Sequence, residues 1–317
     1  MRIANLSGRL VLITADEAAV DIGQASGGRF GPDPQAVYDE WDAFTSWAQT
    51  ADLSAGTPFA VDDLGPPVPR PRQVFAIGLN YGDHAAESGF QVPDAPTVIF
   101  TKWVSCLTGP VTEVVLPDGG HTDWEVELVA VIGRLARNVS EADAWDHVAG
   151  LTAGQDLSER TGQLAGPSPQ FSLAKSLPGF GPTGPWLVSP DDLDDKDDLE
   201  LACSINGEQM QKGRTRDLVF SVPAMVSALS RQLPLLPGDV LFTGTPAGVG
   251  IGRDPQRWLA PGDELVSHIS GIGELRQRCA PSGFSPASSA TPCWAPQTWP
   301  SPVPSSSTGS ASGSATR

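Results

Sequence analysis

Lysine is scarce in this chain of 317 residues: it occurs only at Lys102, Lys175, Lys196 and Lys212. Acidic residues outnumber basic ones by 37 to 20, a net charge of −17. With no basic stripe to neutralise phosphates, nucleic acid is excluded as a partner. Apolar runs are short, and none approaches the ~20 residues of a membrane-spanning helix, so no membrane partner is expected. The N-terminal Met1-Arg-Ile-Ala-Asn-Leu-Ser-Gly-Arg-Leu10 lacks the apolar core of a signal peptide. Cys106, Cys203, Cys279 and Cys293 show no CxxC spacing, and nothing points to an oxidising compartment, so the expected location is the cytoplasm.

A βαβ rhythm is also missing. Short apolar segments separated by Gly, Pro and Asn dominate from Val74 onward: Val74-Phe-Ala-Ile, Thr97-Val-Ile-Phe, Val111-Thr-Glu-Val-Val-Leu, then Asp123 to Gly133. Asn206-Gly207, between Leu199–Ile205 and Glu208–Gln211, is a strong two-residue hairpin signal. Pro-Gly-Asp turns at 237–239 and 261–263 introduce further strands. Helices are a minority, expected at Ala142–Val148 and Val222–Ser230. The fold class is therefore α+β and β-rich, a mixed β-sandwich or roll.

The length allows a large domain plus a small one. Residues 1–68 read as a small N-terminal α+β unit. In it, Val37, Trp41, Phe44 and Trp47 share a helical face, and Asp33-Pro34 makes a plausible N-cap and N1 pair. Residues 69–279 form the larger β-rich unit. Residues 280–317 hold seven prolines, eleven serines and one charge, a composition that builds no core and reads as a disordered tail.

Chemistry enters at Glu125 and Glu127. If Asp123–Gly133 is a strand, these two share a face with Val129 and Val131, opposite Trp124, Val126, Leu128, Ala130 and Ile132. Paired carboxylates that become buried must share a proton or hold a cation, and a hard divalent ion is the simpler answer. A half-exposed edge strand with solvated glutamates fits the same pattern. Asp156 offers a third carboxylate after the next strand-like segment, although a lone Asp there also suits a capping role. Asn80 as N-cap and Gly89 as C′ residue suggest a short helix carrying His84 and Glu87 at i, i+3. Such a pair suits a general base that activates water, or simply a surface ion pair. Arg160, Gln163 and Lys175 could bind an oxyanion. The loop Phe242–Gly250 lacks the Lys-Ser/Thr of a P-loop and the features of a dinucleotide fingerprint, but could offer N–H groups to an anion.

Together these segments resemble the fumarylacetoacetate hydrolase family. The resemblance runs in order through Gly78-Leu-Asn-Tyr…Asp-His-Ala-Ala-Glu87, Asp123-Trp-Glu-Val-Glu-Leu128 and Gln155-Asp-Leu-Ser…Arg160…Gln163. It continues through Ala174-Lys-Ser176, Asn206-Gly-Glu…Gln211, Leu236-Pro-Gly-Asp-Val240, Thr243-Gly-Thr-Pro-Ala-Gly-Val-Gly250 and Pro261-Gly-Asp263. It implies a β-roll catalytic domain of the family's C-terminal type, a homodimer, and Mg²⁺ or Mn²⁺ (with Ca²⁺ possible) held by Glu125, Glu127 and Asp156. It also implies a His84–Glu87 water-activating dyad, Lys175 opposite developing negative charge, and Arg160, Gln163 and Thr245 near the substrate. Relatives often read Ser-Ala-Arg-Asp where this chain has Ser158-Glu-Arg-Thr161. The acid has moved from after the arginine to before it, which leaves the orientation of Arg160 open.

The implied activity is hydrolysis of a C–C bond in a small 1,3-dicarbonyl, acylpyruvate-like acid through an enolate neutralised by metal and Lys175. Isomerisation of a 2-hydroxy-diene-dioate and decarboxylation of oxaloacetate are alternatives on the same site. A non-catalytic binding protein on an enzyme-derived scaffold is the reading from another class.

Overall fold

The computed structural model describes residues 1–15, 18–87, 89 and 91–283. Most of the Pro/Ser-rich tail expected at 280–317, with Cys293, therefore lies outside the described residues.

The described residues build one large mixed sheet and one five-stranded sheet that share a core, with a two-stranded pairing of Thr122–Asp123 and Ser158–Glu159 beside them. The centre of the large sheet is Val126–Ile132, paired antiparallel with Val148–Gln155 on one side and with Val240–Phe242 on the other. Val74–Ile77 follows beyond Val240–Phe242 in parallel, and Ile99–Phe100 forms that edge. In the other direction Gly181–Val188 joins Val148–Gln155, and the N-terminal strand Arg2–Leu6 adds to it antiparallel. The N-terminal strands Arg2–Leu6, Arg9–Ile13 and Ala19–Asp21 thus extend this sheet. The smaller sheet is ordered Glu208–Arg214, Glu200–Ile205, Glu264–Ile269, Gly273–Ala280 and Val111–Val115.

Val126–Ile132 is rich in β-branched residues and is buried along its whole length, as a central strand covered on both faces must be. The alternation expected from the sequence sorts its side chains into two cores. Leu128, Ala130 and Ile132 pack with Leu201, Ile205, Leu265 and Leu275 of the small sheet. Val129 and Val131 pack with Phe242, Trp41 and Phe44. Fully burying each such aliphatic contributes about 1.5–3 kcal/mol, which helps offset the cost of placing carboxylates on the same face. The small sheet buries one face only: Glu200–Ile205 alternates half-buried with buried residues. Gly154 stands opposite Glu127, and a Cβ there would lie 2.5 Å from Val129 Cγ2, so no larger residue fits without displacing that core.

The Asn206-Gly207 hairpin forms as expected, with both residues at positive φ. Several local expectations need correction. Ala142–Val148 is not an α-helix: a 3₁₀ turn covers Ala144–His147, and Val148 already begins the next strand. The helix expected from Asp33 is broken into a 3₁₀ segment, Ala36–Glu40, and an α-helix, Trp41–Ala48. Asp33 accepts from the Gln35 N–H but caps neither. A short helix does cover Gly82–Glu87, with Gly89 at positive φ behind it. Asn80 is not its cap: its amide donates to the Phe220 and Thr243 carbonyls, and its oxygen accepts from the Phe220 N–H. The sequence reading also missed Gly181–Val188, whose glycines and prolines disguise a fully buried central strand.

Candidate metal centre and substrate cavity

The sheet brings Glu125, Glu127 and Asp156 together. Glu125 immediately precedes Val126–Ile132 and Glu127 lies within it; Asp156 immediately follows the neighbouring strand Val148–Gln155, its N–H bonded to the Glu125 carbonyl. One carboxylate oxygen from each lies within 4.8 Å of the others, and all three residues are buried. Solvated edge-strand glutamates are thereby ruled out. Three oxygen donors from carboxylates, with room for substrate or water, are what a hard divalent cation requires.

Cations brace the cluster. The Lys175 ammonium donates to Glu125 Oε2 and to Asp156 Oδ2, each at 2.7 Å. Lys102, absent from the sequence-derived site, donates to Asp156 Oδ1 at 2.7 Å and also to the Lys175 carbonyl. It is wholly buried, and its scarcity-value as a lysine was the one signal that could have found it.

Arg160 spends its fork on protein partners. Its Nε donates to Asp123 at 2.9 Å, one terminal nitrogen donates to Glu125 Oε1 at 2.7 Å, and the other donates to Gln163 Oε1 at 2.9 Å. The shifted acid, Glu159, does not touch it. Glu159 instead caps the helix Arg160–Gln163 by accepting from the Thr161 and Gly162 N–H groups, and it accepts from the His121 N–H as well. Asp123 thus supplies the counter-charge for Arg160. Gln163, its oxygen committed to Arg160, retains its amide N–H groups for the cavity it lines.

The electrostatics follow from burial against these charges. Burial alone would raise Glu125, yet the Lys175 and Arg160 cations prevail and bring its pKa down to about 2. Glu127 goes the other way. Burial, then the negative charges of Asp156 and Glu125, hold its proton well above the usual carboxylate range. Among the described residues, the one hydrogen bond to its carboxylate comes from the Gly244 N–H at 2.8 Å. Burial opposes the Lys175 charge, but Asp156 and Glu125 outweigh it and raise that ammonium's pKa.

The glycine-rich loop after Val240–Phe242 presents N–H groups to anions, and the anions are the protein's own. Gly244 serves Glu127, Gly248 serves Glu87, and Gly250 with Ile251 serves Asp123. Gly248 is at φ +106°, and a Cβ would meet the Met210 carbonyl at 2.3 Å. Thr245 donates to the Val126 carbonyl and accepts from the Gln211 amide, so its hydroxyl hydrogen is already committed.

His84 Nδ1 lies 2.8 Å from Glu87 Oε1 on the Gly82–Glu87 helix, and both line the same cavity as Glu125, Glu127, Arg160, Gln163, Lys175 and Thr245. Its volume is about 600 Å³, suited to a small molecule. Asp156 sits beneath the lining. Among the described residues no helix is long and apolar enough to cross a membrane.

The model of the fumarylacetoacetate (FAA) hydrolase C-terminal domain matches residues 73–280. This chain belongs to the fumarylacetoacetate hydrolase family. Among family relatives, it is 44% identical over 216 residues to a 2,4-didehydro-3-deoxy-L-rhamnonate hydrolase of Sphingomonas sp., covering 68% of this chain and 75% of the relative. It is 41% identical over 210 residues to a mitochondrial oxaloacetate tautomerase of Homo sapiens, covering 66% and 67%. A solved maleylpyruvate hydrolase from Sphingobium sp., in complex with manganese(II) and pyruvate, superposes with a TM-score of 0.69 at 28% identity, over 89% of this chain and 99% of the other. The family relatives are hydrolases, isomerases and tautomerases, and the acidic cluster fits a divalent metal.

Proposed function

We propose that this protein is a divalent-metal-dependent hydrolase that cleaves a C–C bond in an acylpyruvate-like 1,3-dicarbonyl acid. The observation that carries the reading is that Glu125 and Glu127 of the three-carboxylate cluster share one cavity with the His84–Glu87 pair. Glu125, Glu127 and Asp156 would hold the ion, with Mg²⁺ or Mn²⁺ suited to all-oxygen donors. When bound, such an ion supplies Lewis-acid polarisation of the 2-oxo acid and part of its charge neutralisation.

The chain's own groups do the rest. Glu87 fixes the His84 tautomer through Nδ1, leaving Nε2 to take a proton from water. That water adds to the distal carbonyl carbon. When the C–C bond breaks, its electron pair passes to the departing 2-oxo acid as an enolate, which takes at carbon the proton that His84 Nε2 drew from water, giving pyruvate beside the free carboxylic acid. Lys175 uses two donors on Glu125 and Asp156, and the third can meet the developing negative oxygen. Gln163 offers its amide to the substrate. Arg160 and Thr245 act by positioning, the first holding Glu125 and the second the strand at Val126.

The named activity of the human relative favours a second reading: the same base and Lys175 could shuttle a proton between the keto and enol forms of oxaloacetate without water attack. The deciding experiment supplies Mn²⁺ and acylpyruvates or oxaloacetate, following release of pyruvate and the free carboxylic acid against loss of enol absorbance. Cleavage products support the hydrolase; enol–keto exchange without them replaces it with the tautomerase.

A further inference from the structure

We infer that the substrate's distal arm is apolar and uncharged, so that this site selects mono-acids over dicarboxylates. The inference rests on the reading above in which a 2-oxo acid head meets the carboxylate cluster.

The cationic groups lining the cavity are Arg160, Lys175 and, when protonated, His84, and each has its charge met by an acidic side chain of the protein. Arg160 is taken by Asp123, Glu125 and Gln163. Lys175 is held by Glu125 and Asp156, and His84 by Glu87. Whatever donor Lys175 retains faces the head, because its partners are the carboxylates of the cluster. Away from Gln163, Thr245 and the charged groups, the wall is apolar, chiefly Val98, Phe100, Leu164, Pro169, Phe171 and Ile251. Phe100 and Phe171 meet edge to face at 5.5 Å, and Lys175 lies over the Phe100 ring at 5.0 Å, which joins this apolar wall directly to the head-binding end. Leu164 stands at the rim with 53% of its surface exposed.

A hydrocarbon arm laid on this wall removes apolar surface from water on both sides. A second carboxylate in the same place would lose water and find no free counter-charge among the described residues. Glu87 and the cluster would repel it further.

The test uses the full chain loaded with Mn²⁺ and two uncleavable acids of equal carbon count, 2-oxohexanoate and 2-oxoadipate, with binding measured by calorimetry. The mono-acid is expected to bind tighter by about tenfold or more. In Leu164→Arg, at an exposed rim position that needs no repacking, the preference should narrow or reverse. Equal or tighter binding of 2-oxoadipate by the native protein overturns the inference, as does failure of both acids to bind. A parallel assay with 2,4-dioxo acids bearing the same two tails separates this from the hydrolase reading. If neither is cleaved while the binding order holds, hydrolysis fails and the tail preference stands. If both are cleaved with equal kcat/KM, the preference fails and hydrolysis stands.

Discussion

Lys102, wholly buried, donates to Asp156 Oδ1 at 2.7 Å, and neither side chain has measurable exposure. Asp156 is therefore fixed by a lysine on each oxygen, since Lys175 takes Oδ2. Removing Lys102 leaves a buried carboxylate short of a partner, a change that costs about 3–5 kcal/mol when a buried pair is broken. Lys102→Met is expected to lower the denaturation midpoint by a matching amount and to weaken Mn²⁺ binding. Denaturant titration with and without Mn²⁺ measures both, and an unchanged midpoint would remove Lys102 from the site.

Glu127 carries the clearest pH signature. Its pKa is raised in the folded protein by burial and by the neighbouring carboxylates. Its contribution favours the folded state below the ordinary glutamate pKa and is lost as pH rises through the raised folded value. A divalent ion binding the carboxylate must displace that proton. Mn²⁺ binding is thus expected to release protons at pH values below the raised pKa, seen as a buffer-dependent heat in calorimetry. Glu127→Gln should abolish the buffer dependence.

Glu125 has the opposite sign. With its folded pKa at about 2, it contributes stability above the ordinary glutamate pKa that disappears as pH falls toward the lower value. Melting curves across the acid range should show this loss, and Glu125→Gln should flatten it. A variant that melts with the native acid slope would contradict the Lys175 and Arg160 pairing.

His84→Ala separates base from ligand. The imidazole bonds to Glu87, not to the cluster, so Mn²⁺ affinity should stay within about threefold while turnover falls ~10²–10⁴-fold, the usual worth of a general base. Native turnover by this variant would end the water-activating role proposed for the pair.

Arg160→Lys tests positioning. A point-charge ammonium cannot span Asp123, Glu125 and Gln163, and losing charged hydrogen bonds costs about 1.5–3 kcal/mol. Turnover and Mn²⁺ affinity should fall together, whereas loss of a substrate anchor alone would raise KM and spare the metal.

The parts of the site that follow a period were readable in the residues. Glu125 and Glu127 announce themselves through strand alternation, and the structure sorts Leu128 from Val129 as the alternation requires. Partnerships across the chain were not. Nothing around Thr101-Lys-Trp103 says that Lys102 reaches Asp156, 54 residues away. Asn80 looks like a cap from its neighbours, but tertiary contacts to Phe220 and Thr243 claim its amide. Gly181–Val188 escaped notice because its glycines and prolines are poor strand formers, and its place is set by pairing with Val148–Gln155 and Arg2–Leu6.

The central claim is that Glu125, Glu127 and Asp156 jointly hold one divalent cation. Calorimetric titration of Mn²⁺ into the native chain and into Glu125→Gln, Glu127→Gln and Asp156→Asn tests it most directly. The account predicts one site per chain, with each substitution weakening affinity by ~10²-fold or more, the worth of a lost charged ligand. Native-like Mn²⁺ affinity in any one of the three variants, each still folded, would contradict it.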